Sequence, residues 1–170
     1  DEISAKSGGF PLICVSLARN FAEGKEDIFK DMLDQKTSQI HETAYSGMTE
    51  ESKILACIMS FLTSPVTIEQ LQAIVGYEDE KMLKCIMELQ NLGFTTERFT
   101  GIRTQFEIAS PVVRWFVTKS LPKEKLIEYN GLIAISGNRK EMQDDPIYKC
   151  EAAVHFIYCD LHAYAFKAIV

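Results

Sequence analysis

Several things that would point to a ready function are missing from this chain. No apolar run approaches the ~20 residues that a membrane-spanning helix requires, and no basic start followed by an apolar stretch marks a signal peptide. There is no C-x-x-C pair. The five cysteines are an odd number, and Cys14, Cys57, Cys85 and Cys150 each fall within helical apolar patterns, where cysteine reads as a small core residue. A reducing, cytosolic compartment fits that usage best. Positive charge is also short. Lys and Arg total 18 against 24 Asp and Glu, for a net charge of -6. This excess disfavours non-specific nucleic-acid binding, which depends on neutralising phosphates, and equally disfavours an anionic membrane surface. The phosphate-cradling pattern G-x-x-x-x-G-K-[ST] is absent from these residues, so the 170-residue chain is not expected to hydrolyse ATP by itself.

What is present is the mix of a globular protein, with 46% apolar and 25% charged residues. That length suits one ordinary domain or two small ones sharing an interface. The chain starts Asp1-Glu2-Ile3 and stops at Ala168-Ile169-Val170 inside a helical pattern, so both ends read as cut from a longer polypeptide.

Residues 1–47 predict a small helical subdomain. Gly8 and Gly9 break the first helix, and Pro11 opens the next at the position where its missing N–H costs nothing. Leu12, Val15, Leu17 and Ala18 supply an apolar stripe that Gly24 stops. Ile28, Met32, Leu33, Ile40 and Tyr45 predict a long helix from about Glu26.

Residues 48–121 predict a winged-helix domain of three helices plus a β-hairpin. Thr49 is a suitable N-cap, with Glu50 and Glu51 in the first turn where the helix dipole favours negative charge. Ile54, Leu55, Ile58, Phe61 and Leu62 repeat at helical spacing, and Ser64-Pro65 ends that helix. Thr67-Ile68-Glu69-Gln70 matches a capping box for a second helix with Ile68, Leu71 and Ile74 inward, closed by Gly76. Glu78 to Asn91 forms a third, with Met82, Leu83, Ile86, Met87 and Leu89 apolar. Residues 94–99 and 104–108 then read as two strands around a tip at Gly101. Ser110-Pro111 is a cap followed by proline at the first helical position. Trp115, Phe116, Phe94, Phe99 and Phe106 are the expected core.

Residues 122–170 predict a C-terminal helical region, readable as the first unit of a helical repeat array. One helix runs from Pro122 to about Ile135. After a polar loop, Asp145-Pro146 opens a second that runs to the end, with Ile147, Val154, Tyr158, Leu161 and Ala165 on one face and alanines permitting close helix contact. Glu151, His155, Cys159 and His162 lie along one stripe. Such a stripe can ligate zinc, but one straight helix presents two ligands to an ion where a structural site needs four, so packing is the expected role.

Taken in order, these pieces resemble the back half of a STAND-class NTPase, the nucleotide-binding signal-transduction ATPases. Ser7-Gly8-Gly9-Phe10-Pro11-Leu12-Ile13 is similar to the family's Gly-x-Pro motif, whose proline packs against the adenine of bound nucleotide. The resemblance implies that Gly9, Phe10 and Pro11 would wall an ATP or ADP pocket in the intact parent protein. It also implies an upstream NTPase domain of the same polypeptide as the first partner, with other proteins beyond it. One departure concerns the Met-His-Asp motif of many members, whose histidine touches the β-phosphate. Here the matching stretch is Phe106-Glu107-Ile108-Ala109-Ser110, and Ala109 has no side-chain donor.

The function expected from this is a regulatory fragment of a nucleotide-dependent signalling switch. It closes over nucleotide held upstream and relays that state to the C-terminal helices. The rival is a winged-helix DNA-binding transcriptional regulator, which requires basic or amide side chains on the outer face of the third helix. Glu78, Asp79, Glu80 and Glu88 set against Lys81 and Lys84 argue for protein contact there instead. Arg98 and Arg103 on the hairpin are read as solvated surface.

Overall fold

The computed structural model describes residues 37–170 other than Ser120, Asn138, residues 140–145 and Val170. The expected adenine-wall residues Gly9, Phe10 and Pro11, and the helices expected before residue 37, lie outside the described residues, as does Cys14. What is described is mainly helical, with one small antiparallel sheet, an arrangement compatible with a helical segment followed by a winged-helix-like body.

α1 (Thr37–Ser46) leads through Gly47 and the buried Met48 to α2 (Glu50–Phe61). Thr49 caps α2, its side-chain oxygen accepting from the Ser52 N–H at 3.4 Å. The expected capping box forms at α3 (Ile68–Val75), with Gln70 reaching back 2.9 Å to the Thr67 N–H while Thr67 accepts from the Gln70 N–H. Gly76 ends α3 at φ +71°, a left-handed conformation that L side chains rarely adopt. α4 (Asp79–Asn91) follows, and then β1 (Thr95–Phe99) and β2 (Thr104–Ile108) pair antiparallel with Thr95 opposite Ile108 and Phe99 opposite Thr104. Gly101 at φ +84° turns the tip. Val66, just ahead of α3, exchanges two backbone hydrogen bonds with Phe106, at 3.0 and 2.7 Å, and so lies along the free edge of β2. α5 (Pro111–Thr118) is capped by Ser110, which accepts from the Val113 N–H at 3.2 Å.

Leu55, Ile58, Leu71, Met82, Leu89 and Phe94 form the inaccessible centre, closed by Phe106 and Phe116. Two aromatics expected in that core are outside it. Trp115 is 63% and Phe99 71% exposed. α5 turns Val113, Phe116 and Val117 inward, which on a 3.6-residue period puts position 115 outside. Phe99 sits at the end of β1 beyond the helices, where only Thr95 of that strand is buried. Leu83 and Met87 are likewise exposed, because Met82, Cys85, Ile86 and Leu89 are the face of α4 that meets α2.

α6 (Lys123–Ser136) packs on α2 and α3, placing Tyr129 and Ile133 in the same core. The expected single terminal helix is divided into α7 (Pro146–Tyr158) and α8 (His162–Ile169). At the break Asp160 adopts φ +60°, the Leu161 N–H returns to the Phe156 carbonyl at 2.9 Å and the Asp160 N–H to that of Ile157 at 2.9 Å. This is a Schellman-type stop with aspartate in the left-handed position usually held by glycine. The buried face of α7 also differs from expectation. Tyr148, Glu151, Ala152, Ala153, His155 and Phe156 face inward, while Ile147, Val154 and Tyr158 face out, as does Leu161 in the turn; of the expected face only Ala165 is buried. Small residues decide this. A Cβ placed on Gly137 would stand 2.5 Å from Cβ of Ala152, an approach closed to branched side chains. Cys150, expected in the core, is exposed, on the outward side of α7 with Ile147 and Val154.

Candidate interaction surface

The outer face of α4 is where a base-reading helix and a protein-docking helix would differ. It begins with Glu78 at the cap and Asp79 and Glu80 in the first turn. Both lysines of the helix are engaged by carboxylates. Lys81 lies 2.9 Å from Glu51 on α2, and Lys84 lies 2.6 Å from Glu80 one turn back. The Lys81 pairing holds the exposed Glu51 carboxyl below its ordinary range. Between these charges Leu83 and Met87 stand out into solvent, 48% and 60% exposed. The face is therefore acidic and apolar together, with its positive charge already matched.

Beside it, an open groove of about 630 Å³ runs between α1 and the second half of α4, lined by Thr43, Ala44, Gly47, Lys84, Met87 and Glu88. A second groove of about 410 Å³ lies at the start of the helix among Thr49, Glu51, Glu78 and Glu80. Glu88 separates the two and has a role that its sequence position did not disclose. Its carboxylate accepts from the Thr49 hydroxyl at 2.6 Å and from the Thr49 N–H at 3.3 Å, tying the third helix to the start of α2. Burial pushes this carboxyl up, but hydrogen bonds from Ser52 and Thr49 outweigh burial and leave it below its ordinary value. Its contribution is present at neutral pH and fades as pH falls through the lowered value. Replacing Thr49 with alanine removes both the cap and the hydroxyl that bonds Glu88, leaving only the longer bond from the backbone N–H. We expect the loss of about 1–2 kcal/mol typical of a strong cap, read as a lower urea midpoint with an unchanged denaturant slope.

The hairpin offers less. Arg98 and Arg103 are exposed on it, together with Ile102 at 88% and Phe99. Arg103 lies near enough to Glu69 to help lower that carboxyl, whose larger support is a hydrogen bond with Thr67. Positive charge here faces an acid across a groove of about 620 Å³, and among the described residues α4 meets the hairpin through Gln90, which donates to Glu97 at 3.2 Å. The Ala109 N–H donates to the Phe94 carbonyl at 2.9 Å, so that position works through its backbone.

The stripe weighed for zinc is separated by the fold. Glu151 and His155 are buried in α7, and Cys159 points its thiol at the Ile127 carbonyl, 3.6 Å away. His162 is past the break and 2.9 Å from Asp160. Among the described residues no group of three or more His, Cys, Asp or Glu is placed to hold a metal ion, and no helix is long and apolar enough to cross a membrane. No family model, no curated protein and no solved structure matches this chain.

Proposed function

We propose that this chain is a regulatory, protein-contacting part of a nucleotide-dependent switch, with 48–121 as its winged helix used for docking on protein. The single observation that carries this reading is the outer face of α4, where exposed Leu83 and Met87 sit among carboxylates and both lysines are paired. A duplex would meet repulsion there, since phosphate contacts need free cations. A protein surface with apolar and basic groups would gain from burying both. In the intact protein, the segment with Gly9, Phe10 and Pro11 would close over ATP or ADP held by an upstream NTPase domain. Exchange or hydrolysis would alter the contacts that hold α4 and so shift the population between closed and released forms. The C-terminal helices would carry that change to a further protein.

The test joins a nucleic-acid arm to a nucleotide arm. The chain is titrated with duplex DNA across a salt series, and the parent polypeptide is titrated with a fluorescent adenine nucleotide. We expect no salt-dependent association with the duplex. We expect nucleotide affinity to fall at least about tenfold in Pro11→Ala, the size of a lost specific contact of about 1.4 kcal/mol. Leu83→Asp, far from that motif in sequence, should release the winged helix from its neighbour with the nucleotide still bound. Duplex binding that weakens steeply with salt would overturn the reading and favour the DNA-binding regulator.

A further inference from the structure

The joint between α7 and the rest of the molecule is built differently from the core. Where α2, α4 and β1 meet, large apolar side chains are buried. From α7 Tyr148 alone reaches that core, and the separate buried cluster at the α7 joint consists of Ala134, Ala153, Phe156 and Ala165, with one large side chain among three alanines. Burial stabilises in proportion to apolar area, so this cluster adheres weakly. Polar contacts supply the rest, and they are buried or half-buried. The Tyr148 hydroxyl lies 2.8 Å from Ser136 Oγ, which donates to the Ile133 carbonyl at 2.7 Å. His155 Nδ1 lies 2.6 Å from Asn130 Oδ1. Asn130 donates through Nδ2 to the Leu126 carbonyl at 2.6 Å, so its oxygen is the acceptor and His155 carries its proton on Nδ1.

The third contact reaches furthest. Glu151 Oε1 accepts from the backbone N–H of Thr63, in the loop that leaves α2. Arg114 on α5 secures the same loop, donating to the Ser60 and Leu62 carbonyls at 2.6 and 2.7 Å. Three residues on, Val66 is hydrogen-bonded to Phe106 of β2 in both directions. The carboxylate of α7 therefore grips a loop whose other end is part of the sheet. Glu151 is 6% exposed, and its Oε2 has no hydrogen-bond partner among the described residues. A buried carboxylate with one oxygen unmatched makes the docked state expensive to hold.

We propose that α7 and α8 form a detachable hairpin, and that the contact of Glu151 with Thr63 is the catch linking its state to the Thr63–Val66 loop and β2. Opening returns the seam's hydrogen-bonding groups to water at small net cost and exposes two aromatic side chains, Tyr148 and Phe156, besides alanines. Closing orders the loop against β2. The hairpin is then a cooperative unit less stable than the whole, and its opening changes the sheet edge from a distance. The proposal stands apart from the nucleotide reading, and its test uses no nucleotide.

Hydrogen exchange read by mass spectrometry on the whole chain tests it at neutral pH. We expect the amides of α7 and α8 to exchange together, at least about tenfold faster than those of α2 and α4, as sub-global opening predicts. Glu151→Ala should speed exchange further in three places: α7–α8, the Thr63–Val66 loop and β2, leaving Met82 to Leu89 unchanged. Glu151→Gln, which keeps an acceptor for the Thr63 N–H, should show a smaller effect in the same places and serves if the alanine variant does not fold. Exchange of α7–α8 at the rate of α2 would overturn the detachable hairpin. Faster exchange in α7–α8 with no change in the loop or β2 would overturn the catch. A uniform rise in every helix would reduce Glu151 to a general stabilising group and overturn both.

Discussion

Replacing Phe94 with alanine is expected to lower the unfolding free energy by about 3–5 kcal/mol, the cost of truncating a large aromatic in a well-packed core. Phe94 has no accessible surface. Its ring lies 6.1 Å from that of Tyr45, which in turn meets Phe116 edge-on at 5.7 Å. Its N–H donates to the Leu89 carbonyl at 2.8 Å and its carbonyl accepts from Ala109 at 2.9 Å. One residue therefore joins the end of α4, the start of β1, the approach to α5 and the last turn of α1. The cavity left by alanine has rigid helices on several sides and cannot collapse easily. Phe99→Ala is the control. It removes the same group from the far end of the strand that Phe94 leads into, at a position 71% exposed, and a change within about 0.5 kcal/mol is expected there. Urea unfolding of the two variants, with the slope checked for constancy, decides the matter. Similar losses at the two sites would contradict the placement of the core.

Acid should weaken the α7 joint, and His155 sets the window. Burial alone pushes its imidazole down from the usual 6.5 to about 4. The unfolded chain thus binds a proton between those values while the folded chain resists it. Stability is complete above pH 6.5 and falls as pH drops toward 4, by about 3 kcal/mol if the shift is fully expressed. The groups around it are Asn130 on α6, Glu151 and Tyr158 on its own helix and Cys159 in the turn that follows, with Arg114 on α5 facing Glu151. Glu151 acts in the opposite sense. Burial leads in raising its carboxyl, partly countered by hydrogen bonds from Thr63 and Ser64 and by Arg114. Protonation of this group in the folded state therefore returns some stability as pH falls from the raised value toward 4.5. The expected profile is a decline beginning near pH 6.5 that becomes shallower on the acid side. His155→Gln, neutral throughout and still a donor, should remove the decline, and Glu151→Gln should make it steeper at its acid end. A stability curve that stays flat from pH 7 to 4.5 in the unmodified chain would show that His155 is not buried as described.

The features that were legible from the residues are those closed within a few positions. Thr49, Thr67 with Gln70, and Ser110 each bond a backbone N–H three residues away, so their chemistry is written locally. Gly76 and Gly101 mark left-handed backbone for the same reason. The two strands follow from β-rich composition around a glycine tip. The stop at Asp160 was hidden because aspartate holds the left-handed position less often than glycine. The inward face of α7 was hidden because large apolar residues at helical spacing read as core, when close approach to α6 admits alanine and leaves Ile147 and Val154 outside. Within the candidate surface, the acidic character of α4 was plain, but the engagement of its lysines and the tie between Glu88 and Thr49 were not. The expected nucleotide-wall residues Gly9, Phe10 and Pro11 stand outside the described part of the chain.

By itself the order of residues determined where helices start, where several stop, that two strands form a hairpin, and that the chain carries excess negative charge. Those follow from short-range hydrogen bonding, backbone sterics and composition. The tertiary structure alone decided that Glu151 meets a backbone N–H 88 residues away, that Glu88 reaches back 39 residues to Thr49, and which apolar side chains remain in solvent. Such pairings depend on how finished elements pack in three dimensions, and on which side chains are small enough to let them approach.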